Sequence, residues 1–417
     1  MQRGINNQGQ QKALLNNPVK KLEIDKITYV GPIIGRGDNL GVSGTVFVYL
    51  IAKAIKGEVK MFLPTKNLNS ETSEIDLGDN VKHEWAYRVN SIRSLITTAR
   101  KIAKTESSMV IFNFFPTSLG DNRLRNFIWS MVPFYLRLNG IKVIMIFHNS
   151  VSTSNWKTLG YTGILDKIGA KLFQIIEKGL FKITCSVFLL ESYKNIIQSK
   201  FGLNVQAVTF KYIDSLTAFI ASGYTNLKII EIPPNDKIKT IHIHGNFGPQ
   251  KDIEFALFIL SKIAAMGIKF RTLISGSINT HFPAYKIKMD EIIKEYKEII
   301  SEVIIPISES NIFDVFRRSD ILLLPYRASG GRSGVMDLGA FFDLDVVVFR
   351  HIEFKEQASW YNNVHVINPE ELQEILLSLL NKPNPKKLIN VDDKIGDSLN
   401  MMVSLLKYCC ATERGNK

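Results

Sequence analysis

The sequence has few cysteines and no apolar run long enough to cross a membrane. Its three cysteines, Cys185, Cys409 and Cys410, provide neither a disulfide framework nor the spacing of metal ligands. A membrane-spanning helix needs about 20 apolar residues, whereas the longest apolar stretches, 45–52 and 141–147, have the length of strands or core helices. We therefore expect a cytoplasmic protein of a reducing compartment that is soluble or bound peripherally at the inner membrane face.

The N-terminus lacks the apolar core of a signal peptide, and residues 1–25 are predicted to form a disordered leader. The chain does have an excess of positive charge: 52 Lys and Arg against 39 Asp and Glu give a formal net charge of +13. Such an excess favours a polyanionic partner: a nucleic acid, an anionic membrane surface or a phosphorylated small molecule. Because no nucleic-acid-binding module is recognisable, no nucleic acid is expected.

Short apolar runs alternate with helical patterns along most of the chain, which predicts an α/β fold with parallel sheets. At 417 residues and 45% hydrophobic content, the chain can bury two cores. Prolines and polar residues over 232–236 mark a boundary. We expect an N-terminal domain over residues 26–235, a C-terminal domain over 236–394 and a terminal helix over 395–417 that packs back towards the N-terminal domain. Apolar spacing also predicts a helix over residues 85–104.

The stretch Ile321–Phe349 has the pattern strand, loop, helix, strand. Its loop contains three glycines, Gly330, Gly331 and Gly334. Ser333 is a suitable N-cap for a helix whose free N–H groups would point into this loop, a geometry that favours a phosphate. Arg332 adds a cation that does not deprotonate. An ordinary strand-to-helix turn is the alternative.

Two further positions follow apolar runs. The glycine-rich segment Gly35–Gly44 precedes a helix predicted over 45–55, but it lacks the spacing G-x-G-x-x-G, so no nicotinamide or flavin cofactor is expected. His148 follows the run 141–147, at the edge where open α/β sheets bind ligands; it is either a site residue or a structural histidine.

A third segment has the spacing of an acidic metal motif. Asp343-Leu344-Asp345 directly precedes an apolar run, so we interpret it as a turn, and no metal is expected.

A predicted helix over residues 123–138 mixes arginines with large aromatic residues. This composition suits a helix at a lipid headgroup surface. It equally suits a core helix whose basic face is solvated.

Three segments of the C-terminal half resemble the GT-B glycosyltransferases, specifically glycosyltransferase family 4. They are 241–252 (IHIHGNFGPQKD), 313–325 (FDVFRRSDILLLP) and 333–340 (SGVMDLGA) with the following apolar run 346–348. The resemblance covers most of residues 26–405. It implies a GT-B fold in the α/β class: two doubly wound Rossmann-like domains that face each other across a cleft, with a nucleotide-sugar donor held mainly by the second.

The resemblance also implies site residues. The expected catalytic residues are His148 beside the transferred sugar, and Lys251 and Arg332 on the donor diphosphate. The expected donor-binding residues are Gly44, Gly245, Asn246, Ser329, Ser333, Gly334, Val335 and Asp337. Asp337 stands where a glutamate binds the ribose hydroxyls. The chain departs from the family at Asn246, where an arginine is common, and at Ser329 and Asp337, where two glutamates are common. Either Arg332 or Arg327 would replace the missing cation.

We thus expect a glycosyltransferase (hexosyltransferase) that moves a sugar from a nucleotide sugar to a glycan or lipid-linked acceptor, with retention and without a metal or cofactor. An anionic membrane surface is a further expected partner. Two alternatives remain open: a nucleotide-sugar epimerase of the same fold, and a non-catalytic basic binding protein with a degenerate donor site.

Overall fold

A computed structural model of the chain describes residues 20–31, 41–64, 77–88, 91–114, 123–148, 150–153, 163–202, 207–211, 227–232, 238–279, 282–327, 331–383 and 387–411. None of the helices in these ranges is both long enough and apolar enough to cross a membrane.

The first half of the chain forms a seven-stranded parallel sheet in the order β3-β2-β1-β4-β5-β6-β7. Its strands are β1 Lys26–Val30, β2 Glu58–Pro64, β3 Val81–Tyr87, β4 Met109–Phe114, β5 Val143–Phe147, β6 Cys185–Phe188 and β7 Ala207–Thr209. All five residues of β5 are buried, as expected of a strand covered on both faces.

Helices cover both faces of this sheet. They are α1 Gly41–Ala54, α2 Ile92–Ala103, α3 Arg123–Leu138, α4 Ile164–Ile183 and α5 Glu191–Phe201. The buried side chains Leu95, Trp129 and Leu180 place α2, α3 and α4 in one core on one face. Helix α1 belongs to a second core, which extends into the other half of the chain.

The second half forms a six-stranded parallel sheet in the order β11-β10-β9-β12-β13-β14. Its strands are β9 Thr240–Phe247, β10 Arg271–Ile278, β11 Glu302–Ile304, β12 Ile321–Leu324, β13 Asp345–Phe349 and β14 Val364–Ile367. The helices are α6 Ile253–Ala265, α7 Tyr285–Glu295, α8 Glu309–Arg317, α9 Gly334–Phe341, α10 Ile352–Ala358 and α11 Leu372–Asn381.

A small antiparallel pair, β8 Ile229–Ile232 with β15 Lys387–Asn390, lies apart from the two sheets. Helix α12, Val391–Ala411, follows β15 and packs against α1 of the first half. The predicted boundary after residue 235 lies outside the described residues.

The structure differs from the predicted elements at the edge strand β3 and at the end of the predicted leader. Residues 81–87, partly assigned to a helix, form β3 at the edge of the sheet, and its mixed burial explains why no apolar run marks it. The predicted leader reaches residue 25, but Leu22 bridges to Ile55 and Ile24 is buried, because these apolar side chains cover the end of α1.

The strand order reverses once in each sheet: between β1 and β4 in the first, and between β9 and β12 in the second. Ligands of open parallel sheets bind beyond the carboxyl ends of the strands at such points. His148 follows β5, Lys251 follows β9 and Arg332 follows β12. The predicted site residues therefore emerge at the carboxyl edges of the two sheets.

Candidate functional site

The loop after β12 leads into α9 through a capped N-terminus. Ser333 is the N-cap, and its Oγ accepts a hydrogen bond from the N–H of Met336 at 3.3 Å, as the sequence predicted. Within the described residues, the N–H groups of Gly334 and Val335 have no acceptor, and both residues are partly exposed. These two groups and the positive end of the helix dipole form a site suited to an anion. Ser329 lies outside the described residues.

Gln357 of α10 holds the same N-terminus from the side. Its Oε1 accepts a hydrogen bond from the N–H of Ser333 at 2.9 Å, and its Nε2 donates to the Ser333 carbonyl at 2.8 Å. The N–H of Ser333, one of the expected donor-binding residues, therefore already has an acceptor. Gln357 was not predicted as a site residue, because a lone glutamine 24 positions away gives no sequence signal.

Arg332 and Asp337 form a buried ion pair. Arg332 Nη2 lies 2.7 Å from Asp337 Oδ2, and their side chains are 3% and 0% exposed. Asp337 Oδ1 also accepts hydrogen bonds from Gln357 Nε2 at 2.7 Å and from the Tyr361 hydroxyl. Burial raises the pKa of Asp337, and the Arg332 charge opposes that rise. In this arrangement the fully buried Asp337 orients Arg332, and its contact with a ribose stays a prediction.

Trp360 completes the surroundings of this pair. The Arg332 guanidinium carbon lies 5.3 Å from the centre of the Trp360 ring, and Lys211 Nζ of the first half lies 5.2 Å from the same ring. Cations near an indole are stabilised by its ring electrons. Trp360 thus lies between two cations that come from the two halves of the chain.

Lys251 lies at the end of the loop that follows β9. It bridges to Tyr326 in the loop after β12, and its Nζ lies 3.3 Å from the centre of the Tyr326 ring. Burial lowers the pKa of Lys251 to about 7. No described carboxylate lies within ion-pair distance of this ammonium group. An anion that binds at Lys251 would therefore pair with an ammonium group that has no counter-ion among the described residues.

Gly245 makes room for the Lys251 side chain. A Cβ on Gly245 would lie 3.0 Å from Lys251 Nζ, and the glycine has a φ of +151°. Asn246 is the next residue of β9; its side chain is exposed and accepts a 3.4 Å hydrogen bond from Ser277. The predicted donor-binding residues Gly245 and Asn246 thus lie at the same sheet edge as Lys251.

His148 occupies the facing edge of the first sheet. Its Nε2 hydrogen-bonds to Oδ1 of Asn113 near the end of β4. Phe47 of α1 meets the imidazole edge-on, with ring centres 6.1 Å apart. Burial, aided by the Arg332 charge, lowers the pKa of His148 to about 3. His148 is therefore a neutral side chain that lies within electrostatic reach of Arg332 across the cleft.

Glu177 fixes the chain just beyond His148. This fully buried carboxylate of α4 accepts hydrogen bonds from Ser150 Oγ at 2.9 Å, from the N–H of Val151 at 2.7 Å and from Ser152 Oγ at 2.7 Å. Burial raises its pKa. A sequence signal was present, since Glu177 interrupts the apolar face that includes Ile176 and Leu180.

Gly44 differs from its predicted setting. It lies in the first turn of α1, which begins at Gly41, rather than in a loop before the helix. The preceding glycines, Gly35 and Gly37, fall outside the described residues. Gly44 is buried three residues before Phe47, the neighbour of His148.

The Asp343-Leu344-Asp345 segment forms the turn into β13. Asp345 pairs with His365 at 3.0 Å and with Lys382 at 3.2 Å. Across the described ranges, no group of three His, Cys, Asp or Glu side chains is placed to hold a metal ion.

No protein-family model matches the sequence, and no curated protein matches it either. Solved structures do match its fold. A sucrose-phosphate synthase from Thermosynechococcus elongatus is 11% identical with a TM-score of 0.58 and covers 94% of this chain and 98% of its own. An α,α-trehalose 6-phosphate synthase from Burkholderia multivorans is 9% identical with a TM-score of 0.60 and covers 94% and 100%. HepE from Anabaena, solved with UDP-glucose, is 10% identical with a TM-score of 0.57 and covers 94% and 99%.

These neighbours are GT-B glycosyltransferases. At such low identities the similarity concerns the fold, and it confirms the predicted architecture of two doubly wound Rossmann-like domains: this chain has the GT-B fold.

Proposed function

We propose that this protein is a glycosyltransferase that transfers a hexose from a nucleotide sugar to a glycan or lipid-linked acceptor. The observation that carries the proposal is the convergence of Lys251, the open N–H groups of Gly334 and Val335, and the neutral His148 at two facing sheet edges. The fold supports it too, because HepE, one of the solved neighbours, was crystallised with UDP-glucose.

The donor diphosphate would rest between Lys251 and the N-terminus of α9. Transfer breaks the bond between the anomeric carbon and the diphosphate oxygen, so negative charge grows on the leaving diphosphate. Preorganised cations and helix N–H groups stabilise such charge. Lys251 and α9 supply both directly, and Arg332 adds a buried positive charge nearby. We propose on this basis that transfer proceeds without a metal or an organic cofactor.

His148 would lie beside the transferred sugar. Its pKa of about 3 keeps the ring neutral at physiological pH. A neutral imidazole can hydrogen-bond a sugar hydroxyl without adding a positive charge next to a carbon that becomes oxocarbenium-like. We propose retention of configuration, as the resemblance to family 4 implies.

Calorimetry with UDP- and GDP-sugars tests the donor site. We expect one donor to bind the wild-type protein and Lys251→Ala to weaken it by about ten- to a hundredfold, the value of a hydrogen bond to a charged group. Lys286→Ala, which removes an exposed lysine from α7, is the matched control and should bind as the wild type does. Absence of binding for every nucleotide sugar, or equal affinity in Lys251→Ala, would contradict the proposal.

A further inference from the structure

Helices α3 and α4 both expose an apolar stripe. On α3 the exposed large apolar residues are Leu124, Phe127, Met131, Tyr135 and Leu138, with 38% to 88% of each side chain accessible. On α4 they are Ile164, Ile168, Leu172 and Ile175, with 51% to 76% accessible. Steps of three and four residues place each set on one side of its helix. The two helices pack against each other.

These stripes are not part of the core. The opposite side of α3 supplies the buried Trp129, Val132 and Leu136, and α4 supplies the buried Ile176 and Leu180. Each helix is therefore apolar on two sides, one buried and one open to solvent. Soluble monomers rarely expose apolar patches larger than a few hundred Å². Exposed apolar residues of the second half lie singly on separate elements, as Phe258, Ile287 and Leu388 do.

Basic residues border the open side of α4. Four exposed lysines, Lys167, Lys171, Lys178 and Lys182, form a second stripe along the helix. Lys167 and Lys171 each directly precede a residue of the apolar stripe, so the two stripes lie side by side.

Acidic residues are scarce on the same two helices. The sequence of α3 contains no Asp or Glu. The sequence of α4 contains two, of which Glu177 is buried. The exposed lysines of α4 therefore favour a partner of opposite charge.

We infer that the outer surface of α3 and α4 docks onto an anionic lipid bilayer. Apolar side chains beside lysines are the pattern of helices that lie in a membrane interface, where the apolar stripe enters the acyl boundary and the lysines meet lipid phosphates. The sequence alone allows two interpretations of α3: a lipid-facing helix, or a core helix with a solvated basic face. The exposed stripe on α3 and its continuation on α4 favour the lipid-facing interpretation.

The orientation of these helices links the surface to the cleft. Helix α3 follows β4 and α4 follows β5, so each helix begins at the carboxyl edge of the sheet, where His148 lies. A bilayer on this surface would bring a lipid-linked acceptor to the same end of the domain. The delivery of an acceptor to the cleft rests on the proposed function, whereas membrane docking can be tested without it.

Vesicle flotation of the full chain tests the inference. We expect the protein to float with vesicles of equimolar phosphatidylcholine and phosphatidylglycerol and to remain unbound with phosphatidylcholine alone. The variant Ile168→Gln, Leu172→Gln, Ile175→Gln should lose flotation. Lys167→Glu with Lys171→Glu should weaken binding to the anionic vesicles by at least about tenfold.

Matched variants of the second half serve as controls. Ile287→Gln removes an equally exposed isoleucine, and Lys286→Glu with Lys294→Glu makes the same change in net charge. Both should float as the wild type does. Unchanged thermal unfolding and unchanged calorimetric donor affinity in the α4 variants would show that folding and the donor site are intact.

Three results would overturn the inference: no flotation of the wild type, equal losses in the control and α4 variants, or a wild-type dimer that the α4 variants convert to monomers without any vesicle binding. The last result would identify the surface as an interface between two copies. Donor binding without flotation would leave the proposed function standing, and flotation without donor binding would leave the docking surface standing.

Discussion

Lys251 combines a positive charge with an environment that disfavours it. Its ammonium group lies over the Tyr326 ring and beside Gly245, and no described carboxylate pairs with it. Burial therefore lowers its pKa to about 7, well below that of an exposed lysine. An ammonium group in such surroundings favours the binding of an anion.

Donor affinity should consequently depend on pH. Below pH 7, Lys251 is already protonated in the free protein, and binding should be tightest. A bound diphosphate raises the pKa again, so binding above pH 7 takes up a proton and weakens by up to about tenfold per pH unit. Calorimetry across pH measures this slope. Lys251→Arg, which stays charged, should flatten it, and equal slopes in both proteins would refute this role.

Arg332 differs from Lys251 in that its charge has a counter-ion within the protein, the carboxylate of Asp337. Asp337 is fully buried and binds Arg332, Gln357 and Tyr361 at once. A buried pair costs desolvation energy, so removing one partner is more damaging than removing both. The pair orients Arg332 beside the N-terminus of α9.

Asp337→Asn should therefore destabilise the protein by about 3 kcal/mol, because the Arg332 charge is left buried without its counter-ion. Denaturant-induced unfolding measures the loss. Glu302→Gln is the control, because it breaks the exposed ion pair of Arg318 (51% accessible) and Glu302 (44% accessible). This substitution should lower the free energy of unfolding by less than about 1 kcal/mol. Similar losses in the two variants would contradict the account of a buried pair.

At the scale of elements, β9 and β10 approach closely at their carboxyl ends. A Cβ on Gly276 of β10 would lie 1.9 Å from the carbonyl oxygen of Gly245 in β9, and Gly276 has a φ of +148°. Only glycine adopts this backbone conformation readily. The contact fixes the edge from which Lys251 projects.

Gly276→Ala should destabilise the protein by about 1 to 3 kcal/mol through steric overlap and backbone strain. Donor affinity should fall as well, because the strand end that carries Gly245 must shift. Gly396→Ala in α12 is the control: no atom lies within 4 Å of its Cβ position, and it should be neutral or stabilising by about 0.5 to 1 kcal/mol. Equal thermal unfolding midpoints for Gly276→Ala and Gly396→Ala would disprove the close approach of β10 to the Gly245 carbonyl.

At the scale of the whole molecule, α10 joins the two halves. The carboxylate of Glu356 accepts hydrogen bonds from the N–H groups of Glu191 and Ser192, so a side chain of the second domain caps α5 of the first. The Tyr193 hydroxyl donates to Glu353 at 3.4 Å. The neighbouring Gln357 holds the N-terminus of α9. One short helix thus couples the contact between domains to the predicted donor site.

Glu356→Lys should open the cleft, because a cation at the N-terminus of α5 is repelled by the helix dipole and cannot accept its hydrogen bonds. Small-angle X-ray scattering should show a larger radius of gyration than in the wild type. Glu374→Lys makes the same charge change on the exposed side of α11 and should leave the scattering unchanged. Superimposable curves for all three proteins would exclude a coupling role for Glu356.

The sequence predicts the fold better than it predicts the site. Alternating apolar runs and glycine-rich turns mark most strands, and local rules locate the Ser333 cap. Edge strand β3 is not predicted, because most of its residues are only partly buried and form no apolar run. The contacts of Gln357 and Tyr361 with Asp337 are not predicted, because they join residues 20 or more positions apart and no local pattern encodes them. Glu177 does interrupt an apolar face, but nothing local predicts that it binds the N–H of Val151, 26 positions earlier.

The central claim is that a nucleotide sugar bound between Lys251 and α9 is cleaved with transfer of its sugar. The most direct measurement is release of nucleoside diphosphate from a panel of UDP- and GDP-sugars, with and without a membrane extract as the source of acceptor. We predict release from one donor that increases when acceptor is added and falls sharply in Lys251→Ala. A folded, donor-binding protein that releases no nucleoside diphosphate under either condition would contradict the account.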